Sequence, residues 1–168
     1  MANILIDGYN LIGIAHNDLE KARKDIIQKL CEYAKTKGHT ITLVFDGWKN
    51  GQLKETVSKL GELTVVYSKL GEKADSVIKR MLSSSTKPLI VVSSDREISD
   101  FAGRKGFAAV TADEFESRLY STGKQHNYEY PSSYDKDNDL DEMPFNQKGN
   151  PRKLSKREKK RLAALSNL

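Results

Sequence analysis

Ile4-Leu5-Ile6-Asp7-Gly8-Tyr9-Asn10 runs from three consecutive apolar residues directly into an acid and a turn dipeptide. An apolar run this short, bounded by a turn signal, reads as a strand buried on both faces. The pattern repeats downstream. Ile41-Thr42-Leu43-Val44-Phe45 is a second strand ended by Asp46-Gly47, Leu63 to Tyr67 a third, Leu89 to Val92 a fourth, and Phe107 to Val110 a fifth. Between them, Leu19, Ala22, Ile26, Leu30 and Tyr33 recur at helical spacing, so 18–37 is a helix closed by Gly38. Further helices are expected over 52–60, from Ala74 through Leu82, over 96–104, and from Thr111 to Tyr120. Buried strands alternating with helices predict a parallel sheet covered on both sides, wound right-handedly.

The chain has 168 residues and a net charge of +5. Its single cysteine, Cys31, excludes an intramolecular disulfide, and its place in the first long helix suggests an apolar filler. No apolar run reaches membrane-spanning length, and the N-terminus enters a strand rather than a signal peptide. These features predict a protein of the reducing cytoplasm, with no membrane partner. After residue 123 the composition changes. Residues 123–151 are polar and acidic, with six acids against one Lys over 129–142, and read as a disordered linker. Residues 148–168 carry eight Lys or Arg against one Glu. Ser155-Lys156-Arg157-Glu158 has capping-box spacing and opens a helix pattern through Leu165. So short a helix should order mainly by docking on something.

Open parallel sheets bind ligands beyond the C-terminal ends of their strands. Acids recur there: Asp7 after the first strand, Asp46 after the second, Asp95 after the fourth, and Asp75 at the start of the helix leading into it. Asp100, one turn beyond Asp95, is a weaker candidate. Each acid alone has a structural explanation as a turn or helix cap. Gathered at one edge, however, they would repel and raise one another's pKa unless a cation shared the site. Hard oxygen donors with no ligand-spaced His or Cys point to Mg²⁺ or Mn²⁺ rather than zinc. Such a centre suits phosphodiester hydrolysis. Asn10, Ser93 and Ser94 are placed to support the carboxylates, water or phosphate from behind.

Ile6-Asp7-Gly8-Tyr9-Asn10, Val44-Phe45-Asp46-Gly47, Lys73-Ala74-Asp75-Ser76-Val77-Ile78 and Val91-Val92-Ser93-Ser94-Asp95-Arg96, in this order, resemble the motifs of YacP-like NYN-domain proteins. The resemblance covers roughly residues 2–120. It implies a PIN-like (NYN) three-layer α/β/α sandwich with a mostly parallel sheet, making 1–122 a nuclease domain; the change of composition makes 123–151 a linker and 152–168 a basic helix or tail. It implies a metal-dependent endoribonuclease using Mg²⁺ or Mn²⁺, with Asp7, Asp75 and Asp95 as catalytic metal ligands and Asp46 matching the acid after the second strand. The products would carry 5′-phosphate and 3′-hydroxyl ends. The implied substrate is single-stranded mRNA, with the ribosome as partner. One departure is Lys73, where the family often has Thr, which leaves the ligand set there open.

Lys69, Lys73 and Arg96, with Arg104 as a fourth candidate, are expected at the same edge, where they could neutralise RNA phosphates. Tyr9 could stack on an unpaired base. Arg157 and Lys160, in the basic end, are candidate RNA or ribosome contacts. A non-catalytic RNA- or ribosome-binding module with a vestigial acidic site remains the main alternative. A receiver-like signalling domain fits poorly, because the third strand ends in Tyr67-Ser68 without a phospho-acceptor Asp and no Lys follows the fifth.

Overall fold

The alternation of side chains along each strand sorts the apolar residues into two cores. Ile4 and Ile6, Ile41, Leu43 and Phe45, and Leu63 and Val65 face one side; Leu5, Val44, Val66 and Val91 face the other. A computed structural model describes residues 1–13, 18–47, 53–121 and 154–168. In chain order the elements are β1 (Asn3–Asp7), α1 (Gly8–Ile12), α2 (Leu19–Lys37), β2 (Thr40–Phe45), β3 (Thr56–Leu60), β4 (Leu63–Tyr67), α3 (Ala74–Ser84), β5 (Ile90–Val92), α4 (Arg96–Arg104), β6 (Ala108–Val110), α5 (Ala112–Ser121) and α6 (Lys156–Ser166).

The sheet order is β3-β4-β2-β1-β5-β6, parallel throughout except for the β3–β4 pair. Helices α1, α2, α5 and α6 contribute to the first core and α3 and α4 to the second, which makes an α/β/α sandwich. After β1 the chain builds outward through β2, then crosses by α3 to β5 on the other side of β1. The strand order therefore reverses between β1 and β5, the point at whose C-terminal edge open α/β sheets bind their ligands.

Residues 56–60, expected to be helical, form an edge strand instead. Leu60 pairs with Leu63 across the two-residue turn Gly61-Glu62, with Gly61 at φ +62°. Thr56-Val57-Ser58-Lys59 is largely exposed to solvent and bonded on one flank, so it tolerates polar residues that blur its strand signal. The other predicted strands and helices appear near their expected bounds. Asp18 caps α2, accepting from Lys21 N at 3.0 Å, and Gly38 closes it in the left-handed conformation. Residues 123–151, the expected linker, lie outside the described residues.

The basic C-terminal helix docks on the domain itself. Ser155 and Glu158 form the reciprocal capping box. Ala164 and Leu168 are buried in the first core, and the Tyr33 hydroxyl donates to the Leu168 carbonyl at 2.6 Å. Arg161 grips Glu114 with two donor nitrogens, Arg157 pairs with Asp100 at 2.7 Å, and Lys160 donates to the Gly106 carbonyl at 2.9 Å. Among the described residues no helix is long and apolar enough to cross a membrane.

Candidate functional site

Strand parity decides where the acids point. Leu5 and Val44 face the α3/α4 core, so Asp7 and Asp46, each two residues further on, lie on that same side. Asp75 is in the first turn of α3, and Asp95 is the residue just before α4. All four thus sit on the α3/α4 side of one sheet edge. Asp7 ends β1 and Asp95 follows β5, the two strands between which the strand order reverses.

Asp7 is 4% exposed and caps α1, with its carboxylate accepting from Asn10 N at 3.3 Å and Asn10 Nδ2 at 2.6 Å. Burial pushes its carboxyl above the usual range. The Asn10 hydrogen bonds pull it down, and the charges of Asp75 and Asp46 push it up further. Asp75 is raised as well, first by burial and then by Asp95 and Asp46, against the pull of Lys79 and Lys73. Asp7 thus feels the charges of Asp75 and Asp46, and Asp75 those of Asp95 and Asp46. Asp46 is held by the backbone N–H of Ala74, and Asp95 accepts from Glu97 N at 2.6 Å.

The donor set consists of hard oxygens and carries mutual repulsion that a cation would relieve, so its chemistry fits Mg²⁺ or Mn²⁺. As they stand, no three His, Cys, Asp or Glu side chains among the described residues converge closely enough to hold one ion.

Two serines tie the loops behind the acids. Ser93 Oγ accepts from Asp95 N at 3.1 Å, and Ser94 Oγ accepts from Ala112 N at 3.2 Å, linking the β5–α4 turn to the start of α5. Both bond backbone. Lys69, Lys73 and Arg96 are exposed on the loops or helix starts of the acidic edge. Tyr9 is half-buried, with its ring edge-on to Phe45 at 5.5 Å and its hydroxyl accepting from Arg23.

Other candidates lie elsewhere. Asp100 is exposed and paired with Arg157. Arg104 ends α4 at the opposite edge, over the Phe101 ring. Arg157 and Lys160 are also distant from the acids, because Gly106 and α4's outer face lie toward the N-terminal ends of the strands. Their first role is to dock α6.

Lys79, which its place on the body of a helix marks as a solvated charge, instead pairs with Glu97 and pulls the Asp75 carboxyl down, four positions away. Two residues escaped the sequence reading. Ser68 is buried, accepts from Gly47 N at 2.9 Å and donates to the Glu72 carbonyl, joining the Asp46 loop to the approach to α3. Arg23, on α2, stands over the Tyr9 and Phe45 rings, and no local pattern announces it.

The sequence profile of the YacP-like NYN domain matches residues 4–166. The chain is 33% identical over 87 residues to the uncharacterized protein YacP of Bacillus subtilis (strain 168), an alignment covering 46% of this chain. The chain spans about half the length of that curated relative, 49%. Two crystal structures of Rae1 (YacP) from Bacillus subtilis are similar in fold. One, of a tryptophan-to-leucine mutant, has a TM-score of 0.59 at 25% identity, covering 72% of this chain and 76% of that one. The other Rae1 structure has a TM-score of 0.58 at 26% identity, covering 72% and 75%. With that profile spanning nearly its whole length and a six-stranded PIN-like sandwich beneath it, the chain belongs to the YacP-like NYN domain family, within the PIN-like nuclease superfamily.

Proposed function

We propose that this protein is a metal-dependent endoribonuclease that hydrolyses single-stranded RNA, with cytoplasmic, ribosome-associated mRNA as its substrate. The observation that supports this most is the gathering of Asp7, Asp46, Asp75 and Asp95 on one side of the strand-end edge, with burial first and neighbouring carboxylates second raising Asp7 and Asp75. Asp7, Asp75 and Asp95 would hold Mg²⁺ or Mn²⁺. When bound, that ion would supply a water activated at neutral pH and charge neutralisation at the phosphate.

The chain's own residues do the rest. Asn10 fixes both oxygens of Asp7, so that carboxylate is oriented before substrate arrives. Ser93 sets the backbone that carries Asp95. Lys69, Lys73 and Arg96 are free to meet backbone phosphates at the rim. Asp46, engaged with Ala74, acts by positioning α3 and hence Asp75.

The second reading, an RNA- or ribosome-binding module with a vestigial acidic site, draws on the carboxylates' existing N–H partners and their lack of three-way convergence. One assay separates the two. Wild type and Asp7→Asn are incubated with end-labelled single-stranded RNA, with and without Mn²⁺, free and on translating ribosomes. Cleavage by wild type that needs Mn²⁺ and is lost in the variant supports the nuclease. Equal cleavage by both sinks the metal site, and binding without cleavage in every condition favours the module.

A further inference from the structure

On the opposite side of the same sheet edge, four residues from four elements meet: Tyr9 of α1, Arg23 of α2, Phe45 at the end of β2 and Tyr67 at the end of β4. Phe45 and Tyr67 stack at 5.5 Å with rings 23° apart, and Tyr9 sets its edge against Phe45. The Arg23 guanidinium lies over the Tyr9 ring at 5.3 Å and near the Phe45 ring at 5.9 Å, and it donates to the Tyr9 hydroxyl.

Arg23 is half-buried, yet among the described residues no carboxylate pairs with it, and its Nε is buried without a partner. The helix-docking and α3-bracing arginines behave differently: Arg80, Arg157 and Arg161 all hold acids. A guanidinium withdrawn from water with aromatic neighbours but no counter-charge is an incomplete ion pair. Its charge also reaches Tyr67, whose hydroxyl is pushed up mainly by burial and pulled down by Arg23.

Parity puts this cluster across the edge from the acids. Phe45 faces the α2 core and Asp46 the α3 core, one residue apart. A strand lying along the acidic edge and continuing over the ends of β1, β2 and β4 would next meet Arg23. We propose that Arg23 binds a backbone phosphate of the RNA strand on the far side of the sheet edge from the acids, held in place by Tyr9, and so sets the path of the strand through the site. This rests on the reading of the protein as acting on single-stranded RNA. Planar, pre-oriented Arg suits a phosphate better than Lys does. Tyr9 is then a positioning residue for Arg23 rather than a base-stacking platform.

The test uses the full chain carrying Asp75→Asn, with RNA oligomers of one sequence in which successive linkages are replaced by neutral methylphosphonate. Binding is measured over a salt series for Arg23, Arg23→Lys and Arg23→Gln. The expected result is a loss of roughly tenfold in affinity for Arg23→Gln, the size of one charge-assisted contact. The slope of log K on log salt should fall by about 0.7, the value for one phosphate of a single strand. Arg23→Lys should keep the slope and recover part of the affinity. One methylphosphonate position should weaken binding to Arg23 and leave Arg23→Gln unaffected. Unchanged affinity and slope in Arg23→Gln, with RNA still bound, would overturn the Arg23 assignment and leave the nuclease reading standing. A loss of affinity with no change in slope and no position-specific methylphosphonate effect would show a merely structural role. Absence of RNA binding by the Arg23 protein would overturn the nuclease reading and this one with it.

Discussion

Asp46 caps a helix it does not adjoin: its carboxylate accepts the N–H of Ala74, the first residue of α3, across 28 positions of sequence. The residue in the local cap position, Lys73, offers no side-chain hydrogen bond. The loop after β2 thereby fixes the start of α3, one residue from Asp75. Asp46→Ala should lower stability by about 1 kcal/mol, the usual cost of a deleted cap. Asp46→Asn keeps an acceptor oxygen and should lose much less, while retaining more cleavage activity than Asp75→Asn. Denaturant titration of both variants checks this; equal losses would remove the capping role.

Asp7 should be worth more to activity than to stability. Burial raises its folded-state pKa above the unfolded value, and Asp75 and Asp46 add to the shift. The protonated form is therefore favoured in the fold. That stabilisation is complete below the unfolded carboxylate pKa and lost as pH rises through the folded one. At neutral pH the ionised group is thus a cost. Without divalent metal, Asp7→Asn should melt higher than wild type at pH 7, with the gap closing toward about pH 4. Added Mn²⁺ should raise the wild-type Tm and leave the variant unmoved. Melting curves at several pH values, with and without Mn²⁺, decide the matter; a variant that melts lower at pH 7 contradicts it.

Gly8 is required by packing, although Asp7-Gly8 looks like an ordinary turn. A Cβ there would sit 2.3 Å from Phe45 Cε1, well inside contact distance. Gly8→Ala should destabilise the fold by about 1–3 kcal/mol, the usual range for overpacking. In a Phe45→Leu background the same change should cost clearly less. A double-mutant cycle by chemical denaturation measures the coupling, and additive effects would mean the ring is not the obstacle.

Docking of α6 should be acid-labile. Burial pushes Glu114 up, but hydrogen bonds from Arg161 and Thr111 outweigh it and leave the carboxyl below its usual range. A depressed folded pKa contributes stability above the unfolded value and loses it as pH falls through the folded one. Glu114→Gln should therefore destabilise the protein at pH 7, with the difference from wild type vanishing in the acid range below about pH 4. Ala164→Glu, which forces a charge into the core, should be more damaging at pH 7. Amide exchange on α6 tests both; unchanged protection in either variant would deny that the helix is held this way.

Much of the layout is legible locally. Runs at residues 4–6, 41–45 and 63–67 read as strands because they are short, rich in β-branched and apolar residues and bounded by turn signals, as strands buried on both faces are. Asp18, Gly38 and the Ser155 capping box mark helix ends through chemistry that acts within one turn. The edge strand Thr56–Leu60 was not legible, because one flank and much of its surface meet water and its residues need not be apolar.

By itself the sequence determined the strand ends, and with them the place of Asp7, Asp46 and Asp95 at one sheet edge. It also carried the motif order that identifies the family. Only the tertiary structure decided what surrounds each acid. Asp46 is drawn to the Ala74 N–H, Asp7 is desolvated where β1 meets α1, and Arg23 is left half-buried over two aromatic rings with no carboxylate partner among the described residues. Each of these depends on groups distant in sequence brought together by sheet order. Burial and Coulomb energy are functions of distance in space, which no local pattern encodes.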